Sequence, residues 1–155
     1  MTTNNEGIPA QIAVLEARVD IAELKARYAR GADAVFNDPG PANAAVLADL
    51  FTEDGVLDLG PFGRYEGRAN LLNAFENILP QGTKWSTHYI VSPLLTVNGN
   101  EAVGNWYYQI HAVPAAPPGA GLIQILGSYA DAYVKVAGGW KIKESIATIF
   151  APPIE

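Results

Sequence analysis

The sequence predicts an α+β fold in which helices come first and a long antiparallel meander comes last. Apolar residues recur at helical spacing in the first half of the chain and at a spacing of two after residue 87. Two glycine turns, Asn98-Gly99-Asn100 and Gly138-Gly139, divide the later half into consecutive strands. That order lets helices cover one face of a sheet. No internal repeat and no long linker breaks the 155 residues, so a single domain over 1–155 is expected, with its core at about 10–150.

The first helix is expected from Ile12 to about Val35. Its apolar stripe reads Ile12, Leu15, Val19, Ile21, Leu24, Tyr28, Ala32 and Val35, with Glu16, Arg18, Glu23, Lys25, Arg27 and Arg30 on the other faces. Asn37-Asp38-Pro39-Gly40-Pro41 stops it, because each proline lacks an N–H and restricts its predecessor. A short second helix follows across Ala42 to Phe51, then a turn at Glu53-Asp54-Gly55. Val56 to Leu59 reads as a short strand, Gly60 to Gly63 as a loop, and Arg64 to Glu66 as another strand. A third helix follows Gly67-Arg68-Ala69-Asn70, with Leu71, Leu72, Phe75, Ile78 and Leu79 on one side; Pro80-Gln81-Gly82 ends it. Thr87 to Val97 and Ala102 to Val113 form a hairpin. Pro114 to Gly121, rich in proline and glycine, is a loop. Leu122 to Val136 and Trp140 to Phe150 are the last strands, and Pro152-Pro153 closes the chain.

Hydrophobic residues at 49% and charged residues at 17% give a globular profile with enough apolar surface for a core. The net charge of −6, with no cluster of Lys or Arg, argues against nucleic acid and anionic membranes as partners. No apolar run approaches the roughly 18 residues of a membrane span, and the first seven residues carry no secretory pattern, so a cytoplasmic location is expected. The absence of cysteine excludes disulfides, thiolate metal sites and a Cys nucleophile.

Few residues remain to carry chemistry. His88 lies in Trp85-Ser86-Thr87-His88-Tyr89-Ile90-Val91, at the start of an otherwise apolar strand. Imidazole is the side chain best suited to moving protons near neutral pH, although a hydrogen-bonded strand histidine fits the same pattern. Asp33 sits near the end of the first helix, where the helix dipole disfavours a carboxylate. It reads either as a solvated helix-end residue or as an inward carboxylate accepting an imidazole N–H. Tyr28 lies on the apolar stripe five residues earlier; a helix loosened at Gly31 would let it converge with Asp33. His111 ends the second long strand, near the same end of the sheet as His88 if the hairpin pairs through Asn98-Gly99. Two histidines without a third close ligand do not make a zinc site, so no metal is expected. No dinucleotide-binding, phosphate-binding, nucleophile-elbow or zinc-protease motif is present. Trp106, Tyr107 and Tyr108 have no basic neighbours and read as sheet packing rather than a base-stacking surface.

The segments Ile21 to Asp33, Leu50 to Val56, Tyr65-Glu-Gly-Arg68, Thr87-His88-Tyr89, Gly127 to Tyr133 and Gly138 to Ile142, in that order, resemble the SnoaL-like group of the nuclear transport factor 2-like superfamily. The likeness runs from about residue 10 to residue 150. It implies a cone-like barrel: a curved mixed sheet, covered by three N-terminal helices in a cystatin-like arrangement, around one deep cavity. Within the group the chain is most similar to bile acid 7α-dehydratases, scytalone dehydratases and hexachlorocyclohexane dehydrochlorinases. The resemblance implies His88 as base, Asp33 as the carboxylate that orients it, and Tyr28 as a further catalytic residue. It also implies a polar role for His111. The basic residue that the dehydrochlorinases use on the last strand falls near Ser145, which favours dehydration instead.

Together these readings describe a cofactor-free lyase of the dehydratase type, acting on a small hydrophobic cyclic or aromatic oxygenated substrate. His111 and Tyr129 would hold substrate oxygens, and Leu57, Leu59, Phe75, Ile90 and Trp106 would form the apolar wall. The loop 114–121 would cover the mouth. Two alternatives stay open: an isomerase or cyclase using the same His-Asp pair, and a protein that binds a small hydrophobe without turnover. The resemblance also implies a homo-oligomer, dimer or trimer, through the outer face of the sheet, with Trp106 or Tyr107 at the interface.

Overall fold

The computed structural model describes residues 7–150; the segments 1–6 and 151–155, with the Pro152-Pro153 pair, lie outside the described residues. The first helix, α1 (Gly7–Asn37), is longer at both ends than the spacing predicts. Ile21, Leu24, Lys25 and Tyr28, at steps of three, one and three, bury one face, and Ala32 and Val35 continue it. Ile12, Leu15 and Val19 do not belong to that face and are exposed. The step of two from Val19 to Ile21 carries the apolar pattern to the opposite side of the helix, so one apparent stripe is two. Lys25, expected on a polar face, belongs to the buried one.

The second helix, α2 (Pro41–Ala48), packs through Ala44, Leu47 and Ala48. Leu47 approaches α1 at Gly31, where a Cβ would stand 3.0 Å from Leu47 Cδ1. Gly31 therefore serves close helix packing, and α1 runs through it unbroken rather than loosening there. The first strand, β1 (Phe51–Asp58), begins inside the segment expected to be helical and absorbs the expected turn at Glu53-Asp54-Gly55 as an irregularity. β2 is Arg64–Glu66. The third helix, α3 (Arg68–Asn73), continues as a π turn (Ala74–Ile78) and a 3-10 turn (Leu79–Gly82). Four long strands follow: β3 (Thr83–Asn98), β4 (Glu101–Pro114), β5 (Ile123–Val136) and β6 (Gly139–Ile149).

The strands make one six-stranded sheet in the order β2-β1-β6-β5-β4-β3. Every pairing is antiparallel except β1 with β6, so the sheet is mixed. It curves without closing and leaves β2 and β3 as edges. One face packs on α1 to α3, and Tyr28, Phe51, Leu57, Phe75, Tyr108, Tyr129 and Ile142 meet there in the core. Among the described residues no helix is long and apolar enough to cross a membrane.

One irregularity in β3 decides which side chains reach the interior. From Asn98↔Glu101 to Leu94↔Asn105 the paired numbers follow the turn, but beyond a bulge at Ser92-Pro93 the register is Val91↔Tyr107 and His88↔Ile110. Ser92 takes the left-handed conformation, φ 55°. Inward residues are therefore Leu95 and Val97 on one side of the bulge but Ile90, His88 and Ser86 on the other. Counting straight back from the turn would have paired His88 with His111. The bulge pairs it instead with inward-facing Ile110, while His111 faces out.

Candidate active site

Between the helices and the concave face of the sheet lies a cavity of about 190 Å³. Its wall is almost wholly apolar: Val35 and Phe36 from α1, Leu47 from α2, Leu57 and Leu59 from β1 and its end, Phe75, and Ile110, Ile125 and Ile149 from the sheet. Among the described residues only Tyr28, Thr83, Ser86, His88, Tyr108 and Tyr129 bring polar side chains to it, and no Lys, Arg, Asp or Glu lines it.

His88 reaches the wall from β3, its side chain only 7% exposed. Its Nδ1 lies 2.6 Å from Asp33 Oδ1. A carboxylate only accepts, so Nδ1 carries the proton and Nε2 is the basic nitrogen. Asp33 Oδ2 also accepts the His88 backbone N–H at 3.3 Å, and the Ser86 hydroxyl stands 3.5 Å from Oδ1. The carboxylate thus holds both ends of the same residue. Phe36 stacks on the imidazole, centroids 6.0 Å apart and planes 11° from parallel, which leaves the ring little freedom to turn.

The helix end that delivers Asp33 is pinned to the strand that delivers His88. Asn37 Oδ1 accepts the Ser86 N–H at 2.8 Å, and Asn37 Nδ2 donates to the Ser86 carbonyl at 2.9 Å. β3 is an edge strand, and Asn37 supplies what a neighbouring strand would otherwise supply.

Tyr28 lines the same cavity one and a half turns up α1, edge-on to Tyr129 with centroids 5.8 Å apart. Burial raises both hydroxyls well above their ordinary pKa, so each stays a neutral hydrogen-bond donor. Beneath them, away from the cavity, Lys25 Nζ lies 2.7 Å from Asp131 Oδ2, both side chains fully buried. The ammonium sits 3.8 Å from the centre of the Tyr129 ring and 4.5 Å from that of Tyr28. It also lies 3.4 Å from the hydroxyl of buried Ser145. Tyr133 donates to Asp131 at 2.5 Å and accepts from Trp106 Nε1 at 3.0 Å. Burial pulls Lys25 below the usual lysine pKa, against the opposing pull of Asp131.

Of the residues singled out in the sequence, Tyr28, His88, Tyr129, Leu57, Leu59 and Phe75 line the cavity, with Asp33 behind His88. Three do not. His111 faces the outer side of β4, against Gln109 and Tyr89, because the inward parity of that strand falls at Trp106, Tyr108, Ile110 and Ala112. Trp106 is buried but packs beside Tyr133 under the cavity, which also removes it from any outer interface; Tyr107 alone faces outward. Ile90 packs against the core without lining the cavity. The loop 114–121 supplies no lining residue; the rim is formed by Phe62, Leu79, Gly82 and Thr83.

Lys25, Asp131, Asn37 and Phe36 were missed. Lys25 had a legible signal: it stands four residues after Ile21 and three before Tyr28, on the buried face. Asp131 alternates in phase with Tyr129 and Tyr133 on β5, the same inward parity.

Residues 13–146 match the family model of the SnoaL-like domain. Comparison with curated proteins gives no significant sequence match. Among solved structures, a type 2 hexachlorocyclohexane dehydrochlorinase is 21% identical over 92% of this chain and 98% of its own, with a TM-score of 0.78. A nuclear transport factor 2-like protein with a cystatin-like fold from Novosphingobium aromaticivorans is 19% identical, covering 99% of this chain and 94% of its own, with a TM-score of 0.78. A proposed scytalone dehydratase from Novosphingobium aromaticivorans is 20% identical, covering 93% and 89%, with a TM-score of 0.74. At such identities the likeness is one of fold: a curved, unclosed mixed sheet with three helices.

Proposed function

The chain belongs to the SnoaL-like domain family, and on that premise we propose that it is a cofactor-free lyase that removes water from a small, uncharged, cyclic hydroxycarbonyl compound. The observation that carries this reading is the 2.6 Å contact between His88 Nδ1 and Asp33 in the wall of an apolar cavity. A base held in one tautomer by a carboxylate is the arrangement that lets a neutral imidazole take a proton and hold the charge afterwards. His88 Nε2 takes the proton from carbon beside the substrate carbonyl, and Tyr28 donates a hydrogen bond to the resulting enolate oxygen. The enolate reforms the carbonyl as the carbon–carbon double bond forms and the β-hydroxyl departs. The proton on Nε2 goes to that hydroxyl, so the products are the unsaturated carbonyl compound and water. A positioned base supplies roughly 10²–10⁴-fold, and oxyanion stabilisation and orientation supply the rest.

The cavity restricts the substrate. A cavity of about 150 Å³ holds benzene, so 190 Å³ admits one substituted six-membered ring. With no cationic residue among the described residues of the lining, a carboxylate or phosphate on that ring would be desolvated without a partner.

Incubation with cyclic β-hydroxyketones, followed by mass spectrometry, reads the loss of one water. His88→Gln is expected to lower turnover more than about a hundredfold while ligand binding persists. Unchanged turnover in that variant overturns the base assignment. The neutral Tyr28 donor favours one second reading, an isomerase in which Nε2 returns the proton to another carbon; product of unchanged mass identifies it. Binding with neither product nor deuterium exchange at carbon identifies a carrier of small hydrophobes.

A further inference from the structure

Among the described residues the first part of α1 has no partner in its own chain. Residues 7–16 are all exposed, and Ala17 is the first buried position. At 1.5 Å per residue that is roughly 15 Å of helix. It is not polar throughout: Ile8, Ile12, Leu15 and Val19 follow at steps of four, three and four and are 49%, 49%, 62% and 58% exposed. The same steps continue to Ala22 and Ala26. Such alternation of three and four is the heptad seam of a coiled coil, with Ile12, Val19 and Ala26 at a and Ile8, Leu15 and Ala22 at d.

We propose that this seam pairs with its counterpart in a second copy of the chain as a short, parallel, two-stranded coiled coil. Three features select that occupant. β-branched residues at a, with leucine at the central d, favour two parallel strands. The flanking charges agree: Arg18 at g faces Glu23 at e of the other copy, both exposed, whereas antiparallel pairing sets glutamates at e against one another. Ala17, Ile21, Leu24 and Tyr28, which hold α1 to its own domain, occupy c and f, opposite the seam; Ala22 at d is already half-buried against that domain and Ala29, the next d, is buried, so the free seam spans Ile8 to Val19. Two copies joined along a and d therefore carry their domains on opposite outer sides, and the seam ends where the domains begin. This surface is separate from the outer face of the sheet and from the cavity.

The chain has no cysteine, so single introduced cysteines report the contact cleanly. Leu15→Cys, at d, is expected to form a disulfide-linked dimer at least about tenfold faster than Ala13→Cys, at b, under the same mild oxidation. Arg18→Glu in the Leu15→Cys background slows the reaction, and adding Glu23→Arg restores it. Both cysteine positions are exposed, so circular dichroism of the variants should match the parent. Equal rates for the two cysteine variants overturn the proposal. So does preferential cross-linking of Leu15→Cys to a Tyr107→Cys chain, which would place the helix on the neighbour's sheet instead.

Discussion

Replacing Lys25 by Met tests the buried charges beneath the cavity. In the native chain Asp131 Oδ2 takes Lys25 at 2.7 Å and Tyr133 at 2.5 Å, while Oδ1 is buried without a partner. Lys25→Met leaves that carboxylate with a single donor in a fully enclosed site. Breaking a buried pair from one side costs about 3–5 kcal/mol, and the lost cation–π contacts with Tyr28 and Tyr129 are partly offset by the methionine sulfur. Because domains of this kind are stable by only about 5–15 kcal/mol, the variant should unfold at much lower urea concentration. Removing both charges with Lys25→Met/Asp131→Leu leaves no unpaired charge and should recover most of the loss. Urea titrations at pH 7, followed by tryptophan fluorescence, measure all three proteins; Trp106 and Trp140 are both buried. A single variant costing less than about 1 kcal/mol, or a double variant no better than the single, would refute the reasoning.

Asp33→Asn should lower turnover of any substrate found by about a hundredfold or more with little change in ligand affinity, because Asn can present its N–H to Nδ1 and stabilise the wrong tautomer; parallel kinetics and calorimetry check this. Ser92→Gly should be neutral or stabilise by up to about 1 kcal/mol, and Ser92→Val should destabilise, since the bulge holds φ at 55°, as thermal melts will show. Burial lowers Lys25 from 10.5, so between its folded value and 10.5 the unfolded chain binds more protons and this group makes stability rise with pH. Burial raises Tyr28, Tyr129 and Tyr133, so the contribution of these groups is intact below about pH 10 and lost above it. Urea midpoints from pH 8 to 11 should accordingly fall above about pH 10, and Lys25→Met should fall more steeply there, lacking the opposing contribution of Lys25.

The element order was legible from the residues because it depends on local pattern, whereas the pairing of His88 with Asp33, 55 residues apart, was suggested only by the family likeness. Asn98-Gly99 and Gly138-Gly139 turn where expected, and His88 stands in a strand whose neighbours are apolar. What failed was counting across irregularities. One bulge at Ser92-Pro93 reversed the parity of β3 and separated His88 from His111 onto opposite faces. The two-residue step at Val19 to Ile21 split one apparent helical stripe into a buried face and an exposed seam. Glu53-Asp54-Gly55 has turn composition, yet the strand passes through it because Phe51 pairs with Ile142 of β6, a partner far along the chain. The charge of Lys25 argues for an outer face and its spacing for an inner one; the distant Asp131 explains why burial is tolerated.

Since Asn37 grips the Ser86 peptide at both its N–H and its carbonyl, the end of α1 cannot swing from β3 without losing two hydrogen bonds together. Breathing that admits a ring then falls to rim residues outside that clamp, exposed Phe62 and half-buried Leu79, which ride on short 3-10 turns. The molecule thereby has a stationary jaw, which keeps base and carboxylate in register, and a yielding one. Substitutions at the yielding jaw can retune how quickly guests come and go while proton transfer proceeds in unchanged geometry.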